Sequence, residues 1–124
     1  MSHVTHVKTR VLDREVLVRT LEALDEPYEE NLTIRRGDRS FRFDIAVRRR
    51  GGSCVGFRRC KGDGPYEIVY CETNPGHHRV FQNELLQQYA RNKLLLEAAR
   101  RNYALALEQK CEENRIRLVL RKIA

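Results

Sequence analysis

The stretch Phe41-Arg42-Phe43-Asp44-Ile45-Ala46-Val47-Arg48 decides the fold. Phe41, Phe43, Ile45 and Val47 fall on one parity, and Arg42, Asp44, Ala46 and Arg48 on the other. That period of two describes a strand with one apolar and one wet face. Gly51-Gly52 turns the chain into a second strand, Cys54 to Cys60. Gly62-Asp63-Gly64-Pro65 turns it again into Tyr66 to Cys71. Three strands joined by tight turns predict an antiparallel meander that leaves one face wet.

On the N-terminal side, Val4 to Leu12 alternates loosely as a first strand, and Tyr28 to Ile34 is a weaker one that turns at Gly37-Asp38. Between them Asp13 suits a helix N-cap, with Glu15 in the first turn where its charge meets the helix dipole. Leu17, Thr20, Leu21 and Leu24 recur at helical spacing until Pro27. On the C-terminal side, a long helix is expected from about Arg79 to Asn102. Phe81, Leu85, Tyr89, Leu96 and Ala99 share its apolar face, with Asn92 set inside that face. Residues 103–121 alternate on either side of Glu113-Asn114 and read as a hairpin. The order β-α-β-β-β-β-α-β-β predicts a single α+β domain over 1–124. Its antiparallel sheet should have about six or seven strands, with one short and one long helix packed on one face. The long helix should pack on Phe41, Phe43, Ile45 and Val47.

The chain has 124 residues, 41% hydrophobic and 33% charged, which excludes a disordered protein. No run of about 18 apolar residues predicts a transmembrane helix. The first residues lack a secretory pattern, so a soluble cytoplasmic protein is expected. Net charge is +7 and is unevenly placed. Between Arg35 and Lys61 ten Arg and Lys face only Asp38 and Asp44, giving +8 and leaving the rest of the chain at −1. Arg42 and Arg48 share the polar parity of their strand, Arg49 and Arg50 extend it to the turn, and one of Arg58 and Arg59 must face the same side. Guanidinium forks suit phosphate and carboxylate, so these six arginines are candidate anion or partner contacts, weighed against a solvated face.

Cys54, Cys60 and Cys71 with His77 or His78 invite a zinc reading, but their spacing lacks close ligand pairs. The hairpin pairs Cys54 near Glu72, which brings it close to Cys71, and leaves Cys60 at the far end of its strand, so no metal and no cofactor is expected. Reduced thiols are the preferred state, although Cys54 and Cys71 could form a disulfide under oxidation. No serine sits in a nucleophile elbow, and no glycine loop precedes a helix to cradle phosphate, which makes an enzyme the less favoured class. Tyr89 and Asn92 either belong to the packed core or line a cavity, and Asn92 needs a polar partner if buried.

Met1-Ser2-His3 with Lys8-Thr9, Pro27-Tyr28-Glu29-Glu30-Asn31, Gly64-Pro65-Tyr66-Glu67, Gln88-Tyr89-Ala90-Arg91-Asn92-Lys93 and Ile116-Arg117-Leu118-Val119-Leu120-Arg121 carry a resemblance across nearly the whole chain. They resemble small uncharacterised proteins of the ycf thirty-five type, domain of unknown function 1257, found in cyanobacteria, chloroplasts and other bacteria. Members often carry tryptophans after the fifth strand, where this chain has Cys71-Glu72-Thr73-Asn74. The resemblance implies no established activity. It implies a bacterial accessory protein encoded beside an AAA-type ATPase. Two functions are therefore expected: an adaptor that binds a protein partner, or a nucleic-acid or phosphate binder using strands 35–61. Exposed aromatics beside the arginines would favour the second, and an exposed apolar patch the first.

Overall fold

The structure, a computed structural model, describes residues 3–48, 54–59, 62–72, 78–112 and 115–123. The elements are β1 (His3–Lys8), α1 (Arg14–Ala23), β2 (Glu29–Arg36), β3 (Arg39–Arg48), β4 (Cys54–Arg59), β5 (Tyr66–Glu72), α2 (His78–Arg100), β6 (Tyr103–Cys111) and β7 (Arg115–Lys122). Their order is the expected one, and the chain is an α+β domain. All seven strands form, but they divide into two sheets. Five make an antiparallel sheet in the order β1-β5-β4-β3-β2, while β6 and β7 pair only with each other. The division follows from geometry. The 23 residues of α2 carry the chain about 34 Å along the helix axis. Only Arg101 and Asn102, the latter at φ +62°, then link it to β6. That short link turns the chain back along α2, where Arg91 near the middle of the helix meets Glu108 of β6, so the hairpin lies against the helix and pairs only with itself.

Asp13 caps α1 as expected, its side chain accepting the Val16 N–H at 3.2 Å. Leu17 and Leu21 from α1, with Phe81, Leu85 and Tyr89 from α2, pack on Ile45, Val47, Val55, Phe57, Tyr66, Ile68 and Tyr70. Both helices thus share one face of the sheet. The expected stripe on α2 needs correction at its C-terminal end: Ala98 is buried, Leu96 is partly buried and Ala99 is exposed. No helix among the described residues is long and apolar enough to cross a membrane.

The second correction concerns β3. Phe43, Ile45 and Val47 are fully buried and Phe41 nearly so, but they do not share a face. Ile45 and Val47 join the helix-side core, whereas Phe41 and Phe43 pack with Ala46, Cys54, Val69 and Cys71 on the opposite side. The alternation breaks at Asp44, where β3 parts from β4. Pairing between those strands runs from Arg48↔Cys54 only to Ile45↔Phe57, and the Asp44 carboxylate then accepts the Arg59 N–H at 3.1 Å. Opposite Asp44 in the β2–β3 ladder, Asn31 sits at φ +51°, so the hairpin bends in both strands at one level. Gly37, at φ +61°, closes its turn. Beyond the bend the Phe43 ring lies over Gly56, where an added Cβ would overlap it. The distal half of the hairpin, with Leu32 and Ile34, thus covers apolar surface that no helix reaches.

Candidate functional site

The bend in β3 disperses the expected arginine patch. Arg42 and Arg48 lie on either side of the break in alternation and project to opposite sides of the strand. Arg48 pairs with Glu29 at 3.4 Å. Arg58 reaches Glu67 at 3.2 Å and the His6 ring at 3.3 Å, on the face away from the helices. Arg59 lies on the helix side. Its guanidinium stands 4.5 Å above the Tyr66 ring, donates to the Leu12 carbonyl and approaches Asp63 at 3.6 Å. Burial pushes the Tyr66 hydroxyl above its ordinary range, against the pull of Arg59. Arg49 and Arg50 lie outside the described residues, as do Cys60 and His77. Of the six candidate arginines, Arg42 is therefore exposed with no ionic partner among the described residues, and Arg48, Arg58 and Arg59 serve contacts within the chain.

Tyr89 and Asn92 part ways too. The Tyr89 hydroxyl accepts the N–H groups of Leu12 and Asp13 at 3.2 and 3.0 Å, fixing the entry to α1 against α2. Asn92 meets a neighbouring helix and is not on the walls of the groove between Lys8–Val11 and α2. Its amide donates to the Thr20 hydroxyl at 3.1 Å, and that hydroxyl donates to the Val16 carbonyl at 2.7 Å, so Asn92 satisfies a polar helix–helix contact. One helical turn separates it from Tyr89, but it faces α1.

Tyr89 does line an open groove of about 850 Å³ between Lys8–Val11 and α2. The α2 wall is Leu86, Tyr89, Ala90, Lys93, Leu94 and Glu97. The other wall continues β1, an edge strand of the five-stranded sheet. Thr9 locks that wall in place by donating to the Tyr66 carbonyl at 2.7 Å and accepting the Val11 N–H at 3.1 Å. The floor is apolar, and Leu94 is 46% exposed there. Among the rim charges Lys93 is held by Asp13 and Glu97, at 3.3 and 3.6 Å. The Asp13 carboxylate beside it keeps the Lys93 ammonium above its usual range. Lys8 and Arg10 have no acidic partner among the described residues. A smaller, polar hollow of about 380 Å³ beside it is lined by Leu12, Asp13, Arg14, Arg59, Asp63 and Lys93. Its charges are consumed internally: Asp13 with Lys93, Asp63 with Arg59, and Arg14 with Glu30 at 2.8 Å.

Local patterning misses the groove, because it arises where a connection and a helix converge. One signal points to it. Leu94-Leu95-Leu96 sweeps about 200° of helix surface, so the three cannot all face one core. The exposed β6 adds further apolar surface, with Tyr103, Leu105 and Leu107 each more than a third exposed.

Residues 20–119 match the family described as "Protein of unknown function (DUF1257)". The chain belongs to the DUF1257 family. The match covers α1 from Thr20 through most of β7 and so includes the α2 wall of the groove, but not the Lys8–Val11 wall. No curated protein and no solved structure matches this DUF1257 chain.

Proposed function

We propose that this chain is a protein-binding accessory module whose docking site is the groove between Lys8–Val11 and α2. The observation that carries the reading is an open apolar groove beside an edge strand, with Lys8 and Arg10 unneutralised at its rim. Such a site suits an extended partner segment that alternates apolar and acidic residues: main-chain groups meet the strand edge, side chains enter the groove and carboxylates meet the two cations. The nucleic-acid reading has less support. Phe41, Phe43, Phe57, Tyr66 and Tyr70 are buried and cannot stack bases, and of the described arginines of β3 and β4, Arg48, Arg58 and Arg59 are used internally while Arg39 and Arg42 stay exposed. Within the DUF1257 family the quoted motifs fit the ycf thirty-five type, which makes a bacterial, cytoplasmic setting the natural one and an AAA-type ATPase the first partner to examine.

The test is to select 12-residue peptides from a random library on immobilised protein and titrate the enriched sequences into isotope-labelled protein. Acidic–apolar peptides should win and shift amide resonances of residues 8–11 and 86–97. Leu94→Asp, and separately Lys8→Glu with Arg10→Glu, should weaken binding at least tenfold while leaving the melting temperature within a few degrees, because exposed side chains carry little stability. Enrichment of basic peptides, or shifts centred on Arg42 with an oligo-dT probe whose binding falls steeply with salt, would replace the reading with nucleic-acid binding.

A further inference from the structure

We propose that Cys54 and Cys71 form a reversible dithiol–disulfide pair across β4 and β5. The inference rests on sheet register and is independent of the docking groove. Cys54 and Cys71 are direct partners in the antiparallel ladder. Directly opposed residues project to the same side of a sheet, and both cysteines pack in the cluster away from the helices. Antiparallel partners have Cα atoms about 4.5 Å apart at non-hydrogen-bonded positions and about 5.5 Å at hydrogen-bonded ones. Both values fall within the roughly 4.4–6.8 Å that a disulfide spans. Oxidation therefore needs side-chain rotation rather than strand movement. Both residues are reduced in this structure and nearly fully buried, Cys54 at 2% and Cys71 at 1% exposure. Access comes from their position: Cys54 opens β4, and Cys71 is the penultimate residue of β5, where the end of a ladder frays at far lower cost than global unfolding.

The oxidant is a small-molecule disulfide. One cysteine loses its proton, and its thiolate attacks a sulfur of the oxidant, giving a mixed disulfide and expelling one thiolate. The second cysteine, also deprotonated, attacks the protein-bound sulfur and expels the other. Two protein thiols become one disulfide, and the oxidant takes up two electrons and two protons as two thiols. The new bond ties the start of β4 to the end of β5, just before α2. Tyr70, next to Cys71, already holds its ring 4.5 Å from that of His78 in the first turn of α2. The bond thus closes the β4–β5 loop and braces the strand end that leads to the long helix.

The test treats folded parent protein with oxidised glutathione at neutral pH, quenches with an alkylating agent and digests with trypsin. Cys54 then lies on peptide Gly51–Arg58 and Cys71 on Gly62–Arg79, so their linkage is a unique mass. The expected result is that linked pair, abolished by a thiol reductant, with a melting temperature about 5–10 °C above the reduced protein. In Cys54→Ser both the linked mass and the rise should vanish. The proposal falls if both cysteines remain alkylatable in folded protein while Cys111 reacts, or if the linkage forms only in urea. A rise that persists in Cys54→Ser also overturns it. Peptide mapping of the parent decides the matter even if that variant does not fold.

Discussion

Removing the single hydroxyl of Tyr89 should cost far more than its exposure suggests. That oxygen accepts two backbone N–H groups, from Leu12 at 3.2 Å and Asp13 at 3.0 Å, at the point where the chain enters α1. Neither donor lies inside a strand ladder or a helical turn, so in Tyr89→Phe both lose their acceptor while the ring keeps its packing. An orphaned, partly buried donor costs about 1 kcal/mol or more, so the pair is worth about 2 kcal/mol. A 124-residue domain has an unfolding entropy near 0.26 kcal/mol/K, which turns that loss into a drop of about 8 °C in melting temperature. The control is Tyr28→Phe, whose hydroxyl donates only to exposed Glu22 at 3.3 Å and should change stability by less than about 0.5 kcal/mol. Urea unfolding of the three proteins with a common slope measures both differences. Amide exchange at Val16 and Leu17 should also quicken in Tyr89→Phe, because the anchored entry to α1 is loosened. A loss below about 0.5 kcal/mol for Tyr89→Phe would show that water replaces the hydroxyl, and the anchoring argument would be wrong.

Gly56→Ala should destabilise by about 2 kcal/mol or more, because its methyl overlaps the Phe43 ring, and Phe43→Leu in the same chain should recover part of the loss in a double-mutant cycle. Asp13→Asn keeps the N-cap but loses the charge facing Lys93. Burial raises the Asp13 pKa, but the Val16 N–H and Lys93 outweigh it, so the net shift is downward from the ordinary carboxylate value. The parent should therefore hold this contribution above about pH 4 and lose it as pH falls through the lowered value, whereas Asp13→Asn should show a shallower acid limb in pH-dependent melts. Arg91→Ala removes the paired hydrogen bonds from Arg91 to Glu108, which also hold the Glu108 carboxylate below its ordinary range. Amide exchange should then rise across β6 and β7 and stay unchanged in β3–β5, and a uniform rise across both sheets would refute a separately docked hairpin.

The candidate arginines illustrate where local patterning stops. Arg42 and Arg48 share a parity in the sequence, yet the chain places them on opposite sides of β3, because alternation predicts a face only while a strand remains regular. The departure at Asp44 depends on Asn31 across the ladder, Gly56 on the next strand and the Arg59 N–H, none of which is adjacent to Asp44 in sequence. Asn92 was visible as a polar residue in an apolar stripe, but its partner Thr20 lies 72 positions away.

The set of elements was legible along the chain: period-two stretches for the strands, helical spacing after Asp13 and after residue 78, glycine-bearing turns, and the nearness of Cys54 to Cys71, all set by contacts within a few residues or across a tight hairpin. The direct opposition of those two cysteines came with the register. Three features emerge only on folding: the seven strands split into five and two, Phe41 and Phe43 cover the face away from the helices, and a groove opens between Lys8–Val11 and α2. These outcomes depend on the hairpin folding back against α2, on a ring filling the space that a glycine leaves, and on which charges find partners across distant elements. Each is a steric or electrostatic condition between segments that meet only after the chain has folded.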